Sequence, residues 1–228
     1  MSRTQYKAWF ISDTHFHHAA ILRFYPERGI AAGISIDEIE TDKQKAIEKY
    51  NDWLINKWNK TIKKKDFVYI IGDLSLGTKE NTEILLNKLH GRKFLIRGNH
   101  DKSCDGLENY FEWVSEIKEI KFTNDQYSFI NPNEPFTIEL CHFPLFTWNR
   151  RPSGTCHVHG HTHGAIDDFN NNSKELRVDV GFDGKLANMN FVDLETLYNY
   201  MISIRSLTNS NTFMEHTEKL IEEQGFRI

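Results

Sequence analysis

Seven residues of the sequence carry side chains that bind divalent metals, and each lies at or just past the end of a short apolar run. Carboxylates, imidazoles and one amide make up the set: Asp13, His15, Asp73, Asn99, His142, His161 and His163. Oxygen and nitrogen ligands of this kind suit manganese, iron, zinc or nickel, and the lack of a thiolate pair argues against a purely structural zinc. The ligand types therefore predict a hydrolytic centre of two metals.

Four apolar runs predict buried strands that end at these ligands, at 8–12, 67–71, 94–96 and 136–140. In open α/β sheets, ligands collect beyond the carboxyl ends of the strands, so the polar residues after the four runs are expected on one rim. Helical patterns lie between the runs, at 36–62 with Asp37 as its cap, and at 81–89. This alternation of strand and helix favours parallel pairing.

The rest of the chain predicts a second layer and a helical end. Several short strands between 113 and 140 suggest a more antiparallel sheet, followed by a polar, turn-rich loop at 167–174 and a strand at 176–180. Asp179 and Asp183 either shape a pocket mouth or cap a turn. Helices are expected at 193–204 and at 210–226, the latter docked on the surface or at a dimer contact. We expect one domain over 1–228, with a core at about 8–185 and a helical extension at 190–228.

Composition limits the partners of the protein. The 228 residues are 39% hydrophobic and carry a net charge of −4, with a pI near 6.3, so no overall basic bias favours nucleic acid or an anionic membrane. Cys104, Cys141 and Cys156 lack paired spacing, which is typical of reduced thiols inside a cell. We expect a cytoplasmic monomer or homodimer that does not span a membrane.

The sequence Gly-Asn-His-Asp at 98–101 is a specific motif. Asn99 is neutral, so its amide oxygen suits a metal ligand better than a proton carrier. His100 would then be free to donate a proton, while Asp101 could orient its ring and raise its basicity. A surface turn would explain the Gly-Asn pair but not all four residues.

Two histidines alternate in the glycine-flanked segment Gly160–Gly164. Side chains at alternate positions of an extended segment can reach neighbouring ions, which makes His161 and His163 candidate ligands of two metals. A histidine-rich loop that binds adventitious metal is the alternative. Triplets such as Asp13-x-His15 occur often by chance, and Gly72-Asp73 is also a common turn, so both gain weight only alongside the other motifs.

Taken in order, these blocks resemble the calcineurin-like metallophosphoesterase superfamily over about residues 8–185. The segments around Asp13 and His142, FISDTHF and LCHFPL, are similar to its small bacterial and phage branch. The resemblance implies a four-layer α/β/β/α sandwich with a dinuclear centre. It also implies the ligand assignment: one metal held by Asp13, His15 and His163, the other by Asn99, His142 and His161, and Asp73 bridging both.

The expected function is metal-dependent phosphoester hydrolysis, as a phosphodiesterase or phosphatase, through attack of a hydroxide that bridges two divalent ions. Manganese is favoured over iron, zinc, nickel or magnesium, and a small nucleotide-like phosphoester is the expected substrate. His100 would stabilise or protonate the leaving oxygen. Contacts to the substrate are assigned to Arg97, His18, Arg150 and Arg151.

Two alternatives differ from this function in what they require of the chain. A nuclease acting on DNA or RNA would need an extended positive groove, and the basic runs at 57–65 and 150–151 are short. A noncatalytic, metal-bound interaction module would have lost ligands or carry an apolar residue at 100. The intact ligand set favours the enzyme.

Overall fold

Two β-sheets packed face to face form the centre of the protein, here described from a computed structural model. The structure describes residues 6–173 and 175–207. The strands of the two sheets are β1 Ala8–Ile11, β2 Phe67–Ile71, β3 Arg92–Ile96, β4 Phe111–Ser115, β5 Ile117–Phe122, β6 Phe136–Cys141, β7 Cys156–His159, β8 Arg177–Asp179 and β9 Val192–Asp193. The first sheet has the order β4-β3-β2-β1-β9 and the second β5-β6-β7-β8.

Helices cover the outer faces of the sheets. They are α1 Ile21–Phe24, α2 Pro26–Ala31, α3 Ile36–Thr41, α4 Lys43–Thr61, α5 Lys79–Lys88, α6 Asp167–Ser173 and α7 Leu194–Leu207. The first five lie in the stretches that connect β1, β2 and β3, and α6 joins β7 to β8. This arrangement confirms the four-layer α/β/β/α sandwich expected from the sequence.

Strands β1, β2 and β3 of the first sheet are buried on both faces along most of their length, which explains their nearly continuous apolar sequences. Trp9 and Ile11 of β1 pack in a cluster with buried residues of α4 and α5. Phe10, between them, faces the second sheet and stacks on Tyr69 of β2 with ring centroids 5.2 Å apart. Strands β1, β2 and β3 pair in parallel, as predicted. β4 overlaps the region at 113–140 that was expected in the second layer, but it pairs in parallel with β3, so the carboxyl ends of all four strands lie on one edge.

The second sheet differs from the prediction of a more antiparallel layer. Only the β5–β6 pair is antiparallel, whereas β6–β7 and β7–β8 are parallel. The 14 residues between Cys141 and Cys156 and the 17 between His159 and Arg177 are long enough to return the chain for parallel pairing. The carboxyl ends of β6 and β7 therefore also share an edge.

Two predicted elements were wrong in detail. The single helix expected at 36–62 is divided at Asp42, whose side chain accepts a hydrogen bond from the backbone N–H of Lys45 and begins α4, while Ser35 rather than Asp37 caps α3. The loop expected at 167–174 is the helix α6 over 167–173. Its acidic first turn suits a helix amino terminus.

Tertiary contacts of Asn170 account for the second difference. This residue is buried, and its side chain contacts His159 Nε2 and accepts from Arg177 Nε. Such contacts override the weak helix propensity of a polar sequence. The helix predicted at 210–226 lies outside the described residues. None of the described helices is both long enough and apolar enough to cross a membrane.

Candidate metal centre

The proposed ligands follow the carboxyl ends of five strands. Asp13 comes after β1, Asp73 after β2, Asn99 after β3, His142 after β6 and the pair of histidines at 161 and 163 after β7. β1, β2 and β3 pair in parallel in the first sheet, and β6 and β7 pair in parallel in the second. The carboxyl ends of these strands therefore bring the side chains to one rim. His15 and His163, 148 residues apart in the chain, have their Nε2 atoms 3.2 Å apart.

Sharp backbone turns aim these side chains at one point. Five of the proposed ligands have a positive φ, between 48° and 66°, in the left-handed region: Asp13, His15, Asp73, His161 and His163. That conformation costs a residue with a side chain about 1–2 kcal/mol, although aspartate and histidine adopt it more readily than most. Strain of this kind concentrated at one rim is typical of a functional site.

Asp13, His15 and His163 converge closely enough to hold one cation. Oδ1 of Asp13 lies 3.8 Å from Nε2 of His15 and 3.7 Å from Nε2 of His163. The three ligand atoms all lie within 4.8 Å of one another. This set is the one that the resemblance assigned to the first metal.

Asp73 lies between that set and a second one. Its Oδ2 is 3.7 Å from Nε2 of His15, and its Oδ1 is 3.6 Å from Nε2 of His142. Nε2 of His142 is in turn 3.2 Å from Oδ1 of Asn99, and its ring centroid is 5.1 Å from that of His161. The two oxygens of one carboxylate thus face opposite ligand sets, as a bridging residue would.

The chemistry of these donors fits divalent cations. Oδ1 of Asp13, which faces Nε2 of both His15 and His163, is buried and has no hydrogen-bond partner among the described residues. Burial raises the pKa of Asp13 to about 7, and burial, with a contribution from Arg28, lowers the pKa of His15 to about 2. Burial thus disfavours the charged forms of both Asp13 and His15. A bound cation would stabilise the ionised carboxylate of Asp13 and would suit a neutral imidazole at His15.

Two motif glycines allow the backbone to pack this tightly. A Cβ at Gly98 would collide with the carboxylate and backbone N–H of Asp73, and one at Gly160 would collide with Ser12 and the carboxylate of Asp13. Their role is close approach. Spacing alone had placed both glycines beside the ligands without showing what they contact.

His100 lies at the exposed edge of the centre. Its backbone N–H donates to Oδ1 of Asp73 at 2.9 Å, and its ring centroid is 5.8 Å from that of His15. His18 is half-buried, with ring centroids 5.3 Å from His15 and 6.4 Å from His100. Both rings therefore face the ligand sets from the side of His15.

The expected role of Asp101 as the partner of the His100 ring was wrong. Its carboxylate is buried and accepts three backbone N–H groups, from Asp73, Leu74 and Gly98, at 2.8–2.9 Å. The short turn after β3 directs this side chain inward under the loops, because those buried N–H groups need an acceptor. Asp101 therefore positions the backbone of Asp73 rather than the imidazole.

The proposed substrate-binding arginines have different surroundings. Arg97 donates to Asp105 at 2.7 Å and to Glu108 at 3.1 Å. Arg151 forms an ion pair with Glu175 and lies over the ring of Trp148. Arg150 is exposed at a left-handed turn. The charges of Arg97 and Arg151 are thus already balanced by carboxylates.

Arg28 and Phe143, near the centre, were not among the predicted site residues, and Asp183 was named only as shaping a pocket mouth or capping a turn. Arg28 lies in α2, where no local pattern distinguishes it, yet it is fully buried and donates to the carbonyl of Asp13 at 2.8 Å. Asp183 accepts from the His163 ring at 2.6 Å. Phe143 directly follows a ligand, and that adjacency was the one signal available in the sequence.

Comparisons with known proteins show which sequences this chain is similar to. The family model described as calcineurin-like phosphoesterase matches residues 6–165. An uncharacterized protein of Methanocaldococcus jannaschii is 29% identical over 181 residues, covering 76% of this chain and 81% of its own length. The Gene 66 protein of Mycobacterium phage D29 is 28% identical over 182 residues, covering 69% and 79%.

A solved structure shares the fold. The crystal structure of a protein of unknown function from Aquifex aeolicus superposes with a TM-score of 0.55 at 20% identity. The match covers 86% of this chain and all of the other. At that identity the likeness supports the architecture alone.

Proposed function

The chain belongs to the calcineurin-like phosphoesterase family, and from that membership we propose that it hydrolyses a small, nucleotide-like phosphoester with two divalent metal ions, manganese favoured. The observation that carries the proposal is the bridging position of Asp73, whose two oxygens face the two ligand sets at 3.6 and 3.7 Å. When bound, two such cations polarise phosphoryl oxygens and lower the pKa of a coordinated water.

The side chains of the protein would hold the two cations and transfer a proton. Asp13, His15 and His163 would hold one cation, Asn99, His142 and His161 the other, and Asp73 both. His100 is exposed at the same rim, and we assign to it the proton that the leaving oxygen requires, since an imidazole can donate a proton from a ring nitrogen. Asp101 keeps the loop of Asp73 in place through its backbone hydrogen bonds.

The surface beside the centre favours a substrate with a flat ring. Phe143 is 44% exposed, and the edge-on contacts of its ring are with the rings of His142 and His161, with centroids 5.1 and 4.7 Å away. A half-exposed aromatic ring directly against two proposed ligands offers a stacking surface to a group attached to the phosphorus. A nucleobase has this shape.

The charges favour a small substrate over a polynucleotide. A nuclease contacts many phosphates with arginine and lysine, and two of the candidate arginines, Arg97 and Arg151, are paired with Asp105, Glu108 and Glu175. The protein also carries a net charge of −4. Stacking and the cations themselves would then provide most of the binding, which suits one or two phosphoryl groups.

We expect Phe143→Leu to raise the KM for a nucleoside phosphodiester about 2- to 12-fold, which corresponds to the loss of an aromatic contact worth about 0.5–1.5 kcal/mol. The KM for a dialkyl phosphodiester should stay the same, because such a substrate has no ring to stack. Steady-state kinetics on both substrates measures the difference. Phe169→Leu is the control, since Phe169 is also exposed but packs against Arg177 on the second sheet. Equal losses on both substrates would remove the stacking role.

The function itself is tested by assaying the purified protein with manganese on bis(p-nitrophenyl) phosphate, and on cyclic nucleotides, dinucleotides, nucleoside monophosphates and oligonucleotides. We expect hydrolysis of the small esters, its loss with a chelator and its recovery when manganese is returned. Cleavage of oligonucleotides in preference to every small ester would favour the nuclease. A protein that binds two metals and hydrolyses none of the esters would contradict the proposal.

A further inference from the structure

A buried ion pair lies directly behind one of the proposed metal ligands. Arg28 has no exposed surface and donates to both oxygens of Asp183, at 2.7 and 2.5 Å. The Asp183 side chain is 4% exposed and also contacts Nδ1 of His163 at 2.6 Å. Burying a charged pair removes the hydration of both ions, which costs free energy. A pair buried at this position is therefore expected to have a structural or functional role.

The pair determines which nitrogen of His163 faces the metal centre. The guanidinium of Arg28 donates to both oxygens of Asp183, which is the arrangement of an arginine with an ionised carboxylate. An ionised carboxylate can only accept, so Nδ1 of His163 must be the donor. In the neutral imidazole Nε2 then carries the lone pair, and it lies 3.7 Å from Oδ1 of Asp13.

Arg28 joins this imidazole to the loop that carries two other ligands. Besides Asp183, its guanidinium donates to the carbonyls of Asp13 at 2.8 Å and Thr14 at 3.2 Å. Tyr25 stacks on the His163 ring, with centroids 4.8 Å apart and planes 13° from parallel. One arginine thus links the backbone between Asp13 and His15 to the orientation of His163.

The second ligand set is supported differently. Nδ1 of His142 lies 2.8 Å from the backbone carbonyl of Ile71, a neutral partner. The ligand assignment also gives that set Asn99 where it gives the first Asp13, so Asp73 is the one carboxylate assigned to it, while Asp13 approaches Asp73 and His142 with ligand atoms within 4.8 Å. A carboxylate partner raises the basicity of a ligating imidazole more than a carbonyl does, and a further carboxylate ligand adds charge. The two sets are therefore unequal in electrostatics.

We propose that Asp183 and Arg28 are positioning residues that hold Nε2 of His163 toward the metal and make the Asp13, His15 and His163 set the tighter of two unequal metal sites. This inference rests on the proposed function only in that it requires the metal centre. It assigns to Asp183 a purpose beyond capping a turn. It also predicts that manganese binds in two separable steps.

Calorimetric titration of the metal-free protein with manganese tests the inference. For Asp183→Asn we expect the tighter step to weaken about 10- to 100-fold, the usual effect of losing an outer partner of a ligand, while the weaker step is unchanged. Asp66→Asn is the control: Asp66 is also buried, and it binds Trp9 and the N–H groups of Lys7 and Lys63 at the amino end of β2. That variant should lose stability but keep both steps.

Nitrogen NMR of the metal-free protein gives an independent readout. His163 should be protonated at Nδ1 in the parent protein, and Asp183→Asn should shift it toward a mixture of tautomers. An unchanged tautomer, an unchanged tighter step, or equal weakening of both steps would overturn the inference. Because neither measurement involves hydrolysis, these outcomes are distinct from a failure to find a phosphoester substrate.

Discussion

Replacing Asp73 by asparagine should abolish hydrolysis and reduce the binding of both metal ions at once. Asparagine has nearly the same shape and can still accept the N–H of His100, which Oδ1 of Asp73 accepts at 2.9 Å. It lacks the negative charge that faces His15 and His142 from the two sides. Removing a shared ligand should exceed the 10- to 100-fold loss of affinity that is typical of an outer partner, so we expect more than about 100-fold.

Metal content by mass spectrometry and manganese affinity by calorimetry measure this effect alongside kinetics. The loss of both ions distinguishes Asp73 from a ligand of one ion, such as Asn99. Asp66→Asn serves again as the control, because it introduces the same substitution at a buried aspartate at the other end of β2. If Asp73→Asn kept one ion at full affinity, Asp73 would belong to a single site and the bridging role would be wrong.

Replacing His100 by alanine should lower kcat about 10²- to 10⁴-fold, the usual contribution of a positioned acid or base, without changing metal content. The structure explains why kcat should fall while metal content stays the same. The backbone N–H of His100 donates a hydrogen bond to Asp73, and alanine retains that group. The imidazole itself lies exposed beside His15.

The leaving group shows whether His100 donates a proton. p-Nitrophenolate leaves readily without protonation, so the loss of kcat in His100→Ala should be smaller for that ester than for one with an alkoxide leaving group. His90→Ala, before the amino end of β3, provides a histidine control. Full activity of His100→Ala on the alkyl ester would remove the proposed role, and a loss of metal would show that the ring supports the centre itself.

Much of the fold could be predicted from the sequence because the signals are local. The run Phe67–Ile71 is a strand with the bounds that its apolar pattern indicates. Burial on both faces produces such continuous runs, and the alternation with helices indicates parallel strands. The loop predicted at 167–174 was wrong because contacts outside that segment decide its structure. Asn170 packs on His159 and Arg177 and stabilises a helix in a segment whose composition is typical of a turn.

The role of Asp101 illustrates the same limit within the site. Its place beside His100 in the chain suggested a contact between the two side chains. The structure instead directs the carboxylate to backbone N–H groups of Asp73 and Leu74, 28 and 27 residues away. Neighbours in sequence share a turn, but the direction of each side chain depends on the layers that close around it.

The sequence by itself determined the ligand types, their order and the strand after which each one comes, since these follow from residue chemistry and from short apolar patterns. Tertiary structure decided how the ligands are arranged. It placed Asp73 between two sets, turned five ligands into left-handed backbone, and brought Arg28 of α2 and Asp183 together behind His163. Those contacts join segments as far as 155 residues apart, and only the packing of two sheets and their helices brings such segments together.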